Sequence, residues 1–112
     1  TNWSANDILG LAIDLDNGKF YASLNGTWYN SADPANGTNA LITGITARKS
    51  GQFTPFLGSG TSNARTNHIN FGNGFFGTTA ISSEGTNASG IGKFEYDVPT
   101  GFTALSTKGL NL

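Results

Sequence analysis

The sequence predicts an all-β protein, an antiparallel β-sandwich with little or no helix. Three observations carry that expectation. The chain holds 16 Gly but only three Pro in 112 residues, beside abundant Asn, Thr and Ser, which is the composition of a fold with many tight turns. Two apolar-rich runs, residues 8–15 and 19–24, flank Asp16-Asn17-Gly18, and a second turn follows at Asn25-Gly26. Both residues of an Asn-Gly pair tolerate positive φ, so these pairs select the tight turns of β-hairpins. Finally, no stretch has convincing helical spacing, and there is no internal repeat.

Taken in order, residues 8–15 are nearly continuous in apolar side chains. Such density predicts a strand in the middle of a sandwich, covered on both faces. Residues 19–24 alternate, with Phe20, Ala22 and Leu24 on one face and Lys19, Tyr21 and Ser23 on the other. Residues 27–29 make a short third strand, and 30–39 are loop chemistry throughout. Residues 41–45 and 52–57 are the next strands, with Pro55 placing the latter at an edge or bulge. A polar loop spans 58–67, and a short strand at 68–71 ends at Gly72-Asn73-Gly74. Residues 82–92, rich in Gly, Asn and Ser, read as a mobile loop. Alternation returns over 94–98, and Pro99-Thr100-Gly101 turns the chain into a last strand at 102–106.

Size and charge bound the function. A chain of 112 residues suits one domain, 1–112, with a core that is adequate but not generous. The formal net charge is −1 with only six basic residues, and the adjacent pair Arg48-Lys49 reads as a solvated loop. That balance argues against nucleic acid as a partner, because phosphate binding depends on clustered Lys and Arg. The absence of Cys excludes disulfides and thiolate metal sites. No apolar run approaches the about 18 residues of a membrane-spanning helix. The chain begins at Thr1 without an initiator Met or a basic-then-apolar leader, as a processed product or an excerpt would.

The succession Asp7, Gly10, Asp14, Gly18, Asn25-Gly26 resembles the central signature of the SPRY family, with Asn6 where that family often has Gly. Phe53-Thr54-Pro55-Phe56 resembles its aromatic-Pro-aromatic segment, and Asn70-Phe71-Gly72 is similar to its late N-F-G. Residues 31–39 and 99–107 resemble a subset found in bacteriophage and marine viral proteins. In order, these matches span most of residues 6–107. The resemblance implies a concanavalin-like jelly-roll sandwich serving as the C-terminal module of a virion or tail-fibre protein. It implies adhesion or particle assembly without catalysis or cofactor, in an extracellular or virion location; the sequence is silent on oligomeric state, and a homo-oligomer is compatible because viral fibres are often trimeric. A complete SPRY domain has several strands before the segment matched by residues 7–10, whereas six residues precede it here. The missing strands would lie on other sequence, come from a partner, or be absent from a shortened version. Unpaired strand edges invite association, so a solitary half-sandwich would dimerise or aggregate.

Other motifs favour structural explanations. Asp14-x-Asp16-Asn17-Gly18 starts like a calcium loop, but the next ligand position falls on Gly18 and the closing Glu position on Asn25, so a hairpin turn explains it better and no metal is expected. Gly72-x-Gly-x-x-Gly77 satisfies the dinucleotide spacing, yet β-prone Thr78-Thr79 follows where a helix is required. It reads as a flexible turn that inserts Phe75 and Phe76 into the core. His68 is the single His and has no triad-like setting. Glu95 and Asp97 share a strand face, near the about 5 to 9 Å separation of glycosidase carboxylates, but an exposed amphipathic strand accounts for them. Four N-x-S/T sequons, at Asn2, Asn25, Asn36 and Asn87, are expected by chance in so Asn- and Thr-rich a chain.

Recognition is the stronger functional expectation. Trp28, Tyr29, Asn30 and Asp33 open a long polar loop, and Arg65 lies in the second polar loop. Aromatic faces pack on sugars and on partner side chains, while Asn, Asp and Thr give directional hydrogen bonds. The expected partner is a host-surface glycan or protein, with Trp28, Tyr29, Asn30, Asp33 and Arg65 as the ligand-binding set. Trp28 reads equally as a core residue. The alternatives are a structural decoration or assembly subunit that touches only neighbouring virion subunits, and a secreted bacterial lectin-like module.

Overall fold

The computed structural model describes residues 3–45, 54–58 and 64–106. Strands β1 (Leu9–Asp14), β2 (Lys19–Leu24) and β3 (Thr27–Trp28) form a three-stranded antiparallel sheet in the order β1-β2-β3. Strands β4 (Phe75–Phe76) and β5 (Thr79–Ala80) form a separate antiparallel pair. There is no α-helix among the described residues, and Tyr29–Ser31 form a single 3-10 turn. The all-β, antiparallel class is therefore as the sequence predicts.

The first hairpin is built by side chains that substitute for backbone partners. After β1, Asp14 accepts hydrogen bonds from the Asn17 backbone N–H at 3.0 Å and from Asn17 Nδ2 at 2.7 Å. This Asx turn closes the loop, and Gly18 completes it at φ 63° against the Ile45 backbone, where a Cβ would lie 2.6 Å from a carbonyl oxygen. Between β2 and β3 the connection is Asn25-Gly26 alone, both at positive φ (48° and 82°), as the tight hairpin turn requires. Asn25 also reaches back before β1: its Oδ1 accepts the Ile8 N–H at 2.9 Å and its Nδ2 donates to Asp7 at 2.8 Å. Asp7 in turn accepts the Ser4 N–H at 2.7 Å.

Register decides which face of this sheet is inside. Leu9, Leu11 and Ile13 lie opposite Leu24, Ala22 and Phe20, while Gly10, Ala12 and Asp14 lie opposite Ser23, Tyr21 and Lys19. The second set faces the interior. Tyr21 is 0% exposed, and its ring meets Trp28 and Phe102 edge-on at centroid distances of 6.5 and 6.3 Å. The first set faces outward, with Leu11 54% and Ile13 41% exposed and only the small Ala22 buried. One expectation is thereby corrected: residues 8–15 are not covered on both faces, since Leu11 and Ile13 stand exposed. On β2, whose faces the alternation separates correctly, Tyr21 and Ser23 are both buried on the inner side. Alternation alone cannot choose a face when one side carries Tyr, Ala and Ser and the other carries aliphatic residues.

Beyond the sheet, several expected strands are irregular. Residues 41–45 follow β2 only through an antiparallel bridge at Phe20–Ile42, where both Leu41 and Ile42 N–H groups donate to the Phe20 carbonyl, and through Ile45 donating to Gly18. Two residues opposite one is a β-bulge, which ends the ladder. Tyr29 leaves β3 for the 3-10 turn. Residues 54–57, 68–71, 94–98 and 102–106 form no ladder, and the expected strand at 52–53 and pair Arg48-Lys49 lie outside the described residues. The turn at residues 72–77 instead runs into β4, with Phe75 exposed and Phe76 half-buried, so neither is a core aromatic.

Side-chain amides and carboxylates take over where ladders fail. Asn70 Oδ1 accepts the Gly72 N–H at 2.7 Å while its Nδ2 donates to the Lys93 carbonyl at 2.9 Å. Asn87 Nδ2 donates to the Ile91 and Gly92 carbonyls. Gly85 donates to the Phe94 carbonyl and Val98 to that of Thr86. The 82–92 segment, expected to be mobile, is thus tied to the chain that follows it. Gly72 and Gly92 approach so closely that a Cβ on Gly72 would lie 2.9 Å from the Gly92 Cα.

The buried core is small: Ala12, Tyr21 and Ala22, with Ser23. Because Tyr21 is the large side chain among them, Tyr21→Ala should cost about 3–5 kcal/mol, as other buried aromatic truncations do. The Tyr21 hydroxyl is buried without a hydrogen-bond partner. Tyr21→Phe should therefore leave stability unchanged or raise it by up to about 1 kcal/mol. Urea unfolding followed by Trp fluorescence separates the two, and a large loss on Tyr21→Phe would contradict this packing.

Candidate functional site

The expected ligand-binding residues divide between the two sides of the sheet. Trp28 lies opposite Ser23 and so shares its covered face, half-buried against Tyr21. Tyr29, one residue on, lines a hollow on the opposite, open face. Asn30 is exposed and at φ 60°, a left-handed conformation that Asn tolerates. Arg65 is exposed and has no hydrogen bond or ion pair with the other four among the described residues. The structure therefore brings Trp28 to Asp33 together along the chain but does not converge them on one point.

The 30–39 loop is braced internally. Asp33 and Thr38 exchange backbone hydrogen bonds at 3.2 and 3.1 Å, closing a small loop. Inside it Asp33 accepts from the Asn36 N–H at 3.2 Å and from Asn36 Nδ2 at 2.6 Å. Asn30 Nδ2 donates to the Asn39 carbonyl, and Asn39 Nδ2 to the Ser31 carbonyl. Lys19 spans from β2 to donate to the Gly37 carbonyl at 2.6 Å, and Gly37 packs close to the Lys19 ammonium and the Tyr21 hydroxyl. Burial, reinforced by the Asp14 and Asp33 carboxylates, pushes the Tyr21 hydroxyl above its ordinary pKa. The loop's polar side chains are thus largely spent on the loop itself.

The open face holds a shallow, wide-mouthed depression of about 430 Å³ lined by Trp3, Leu9, Leu11, Phe20, Ala22, Tyr29 and Leu41. Within its lining, the small Ala22 lies opposite Leu11 in the register. No charged side chain lines it. The Tyr29 hydroxyl is buried without a hydrogen-bond partner. Sequence reasoning missed this surface by treating residues 8–15 as doubly covered. The signal was present in the odd-numbered row Leu9, Leu11, Ile13, Leu15.

The acidic residues have structural employment. Glu95 accepts from the Ser82 backbone N–H at 2.7 Å and from its hydroxyl, and Asp97 accepts the Thr86 N–H at 2.7 Å. These bonds hold both carboxyls below their ordinary pKa values, the opposite of the raised value a general acid needs. His68 is exposed and packs against Gly77 in the β4–β5 turn. Among the described residues no group of three metal-ligating side chains comes together. Nor is any helix long and apolar enough to cross a membrane.

Three of the sequon asparagines, Asn25, Asn36 and Asn87, have their Nδ2 engaged in the bonds described above. The Ser4 N–H and the Asn25 amide hold Asp7 below the ordinary carboxyl value, as the Asn17 and Asn36 amides hold Asp14 and Asp33. A lowered folded pKa means stabilisation in place above the unfolded value and lost as pH falls through the folded one. Tm should accordingly be steady near neutrality and fall below about pH 4. Asp7→Ala should lower Tm at pH 7 and shrink the drop between pH 7 and pH 3, and equal curves for variant and wild type would show that Asp7 contributes nothing. No family model, curated protein or solved structure matches the chain.

Proposed function

We propose that this chain is a non-catalytic assembly module, a subunit of a larger particle of the virion or fibre kind that the sequence resemblance implies. The observation that carries this reading is the open face of the β1–β2–β3 sheet. Leu11, Ile13, Leu41 and Ile42 are each between 41% and 54% exposed there. The register leaves Lys19 and Asp14 on the opposite side. A contiguous uncharged apolar face is what a protein contact surface offers, whereas isolated exposed apolar residues carry no such meaning. The edge of the sheet points the same way. Phe20 directs its N–H and C=O to residues 41–42, so its partner Ile13, and by alternation Leu11, direct theirs away from β2. Among the described residues no strand pairs there. A sandwich would then be completed across the contact.

The chain lacks Cys, so single cysteines report cleanly. In native assemblies, Leu11→Cys should be alkylated at least tenfold more slowly than Thr79→Cys on β5. Equal rates would end the assembly reading.

A second reading, recognition of a host-surface glycan or protein by the 28–39 loop, is favoured by one observation. The internal bonds of Asn30, Asp33, Asn36 and Asn39 pre-organise the loop, which lowers the entropic cost of binding. Glycan-array binding that survives Asn30→Ala combined with Arg65→Ala would exclude these residues from it.

A further inference from the structure

Resting on the assembly reading above, we propose that the open sheet face is covered by the same face of a second copy of this chain, in a two-fold dimer that builds one sandwich from two half-sandwiches.

Three features select a second copy over a different partner. The first is self-complementary relief. A two-fold contact brings the same patch of each copy together, so the patch must be compatible with itself, and a shallow depression edged by Leu and Ile is. The hollow over Ala22 is bounded by Leu9, Leu11 and Leu41, while Ile13 and Ile42 flank Phe20 beside it and are not part of its lining. Rotation about an axis through the face brings the exposed Ile13 and Ile42 side chains of one copy against the Leu9–Leu11–Leu41 side of the other.

Charge is the second feature. Among the described residues the face presents no ionised group, and the formal net charge of the chain is −1, so two copies meet without the like-charge repulsion that discourages homotypic contacts. A charged or strongly polar partner would leave unpaired groups against Leu and Ile.

Area is the third. Trp3, Leu11, Ile13, Leu41 and Ile42 are 41–61% exposed. With half-buried Leu9 and Phe20 they offer on the order of 500 Å² of apolar surface, at the upper end of what a monomer leaves uncovered. Two such faces bury about 1,000 Å² in total, the lower limit of a specific protein contact. Sheets pack face to face about 10 Å apart, a gap that Leu and Ile side chains from both sides fill. The interface is small, so the dissociation constant should fall in the micromolar range.

Sedimentation equilibrium of the full chain, from about 1 μM to 1 mM, tests this directly. The wild type should pass from monomer to dimer. Leu11→Asp and Ile42→Asp, each placing two carboxylates across the interface, should weaken the dimer at least 100-fold. Near-ultraviolet circular dichroism of the Tyr21–Trp28–Phe102 cluster, on the far side of the sheet, reports whether each variant is folded. A folded wild type that stays monomeric overturns the dimer. If Leu11→Cys is nevertheless protected in native assemblies, the assembly reading survives with another protein as partner. If it is fully reactive, both fail. A dimer unaffected by either folded Asp variant would place association elsewhere, the β1 edge first. A trimeric mass would also overturn the two-fold arrangement.

Discussion

The rest of the structure depends on the seating of the Tyr21 ring. Tyr21 lies at the centre of β2, opposite Ala12, and is closed in by Trp28 from the end of β3 and Phe102 from the C-terminal segment. These rings come from three places in the chain, so the contact sets strand register and brings the last described residues onto the sheet. Because side chains alternate with a period of two, slipping β1 against β2 by one residue would turn Leu9, Leu11 and Ile13 inward and Ala12 outward. The aromatic cluster opposes that slip. The small size of its neighbours, Ala12, Ser23 and Gly10, makes room for it. Gly10 is directly opposite Ser23, whose hydroxyl occupies the space a Cβ would need.

A sheet buried on one face has a consequence for the opposite one. Apolar residues line both sides of β1, yet the described chain provides cover for one side only. Hydrophobic burial scales with area removed from water, so the uncovered row of Leu and Ile is a reserve of favourable free energy that only a contact can release. Polar structure elsewhere compensates for the modest core. Asn70, Asn87, Glu95 and Asp97 bond to backbone groups that have no ladder partner. Such local bonds satisfy turns well but bury little surface.

The first third of the fold was the most legible. Strand β2 and the Asn25-Gly26 turn follow from alternation and Asn-Gly chemistry, because a turn's φ requirement is met by residues next to one another; at the first turn only Gly18 takes positive φ, and Asp14 closes a longer loop through Asn17. The role of Asp7 was visible only as part of a motif. Its partner Asn25 is eighteen positions away, and nothing in either residue alone announces that contact. After residue 40 legibility declines. There Gly at positive φ and side chain-to-backbone bonds dominate, and β-prone triplets such as His68-Ile69-Asn70 are overruled by the bonding of Asn70 to a turn. The candidate loop was legible as a loop but not as a site. Trp28 and Tyr29 are adjacent in sequence, yet Trp28 ends β3 against Tyr21 while Tyr29 begins the 3-10 turn and lines the opposite face.

Through-space proton NMR contacts of the Tyr21 ring test the central claim most directly, since they report which face of the hairpin is inside whether or not the chain associates. Strong cross-peaks should run from the Tyr21 ring to the Trp28 and Phe102 rings. Cross-peaks from Phe20 to Trp28 and Phe102 in their place would put the Leu–Ile row inside and contradict that claim.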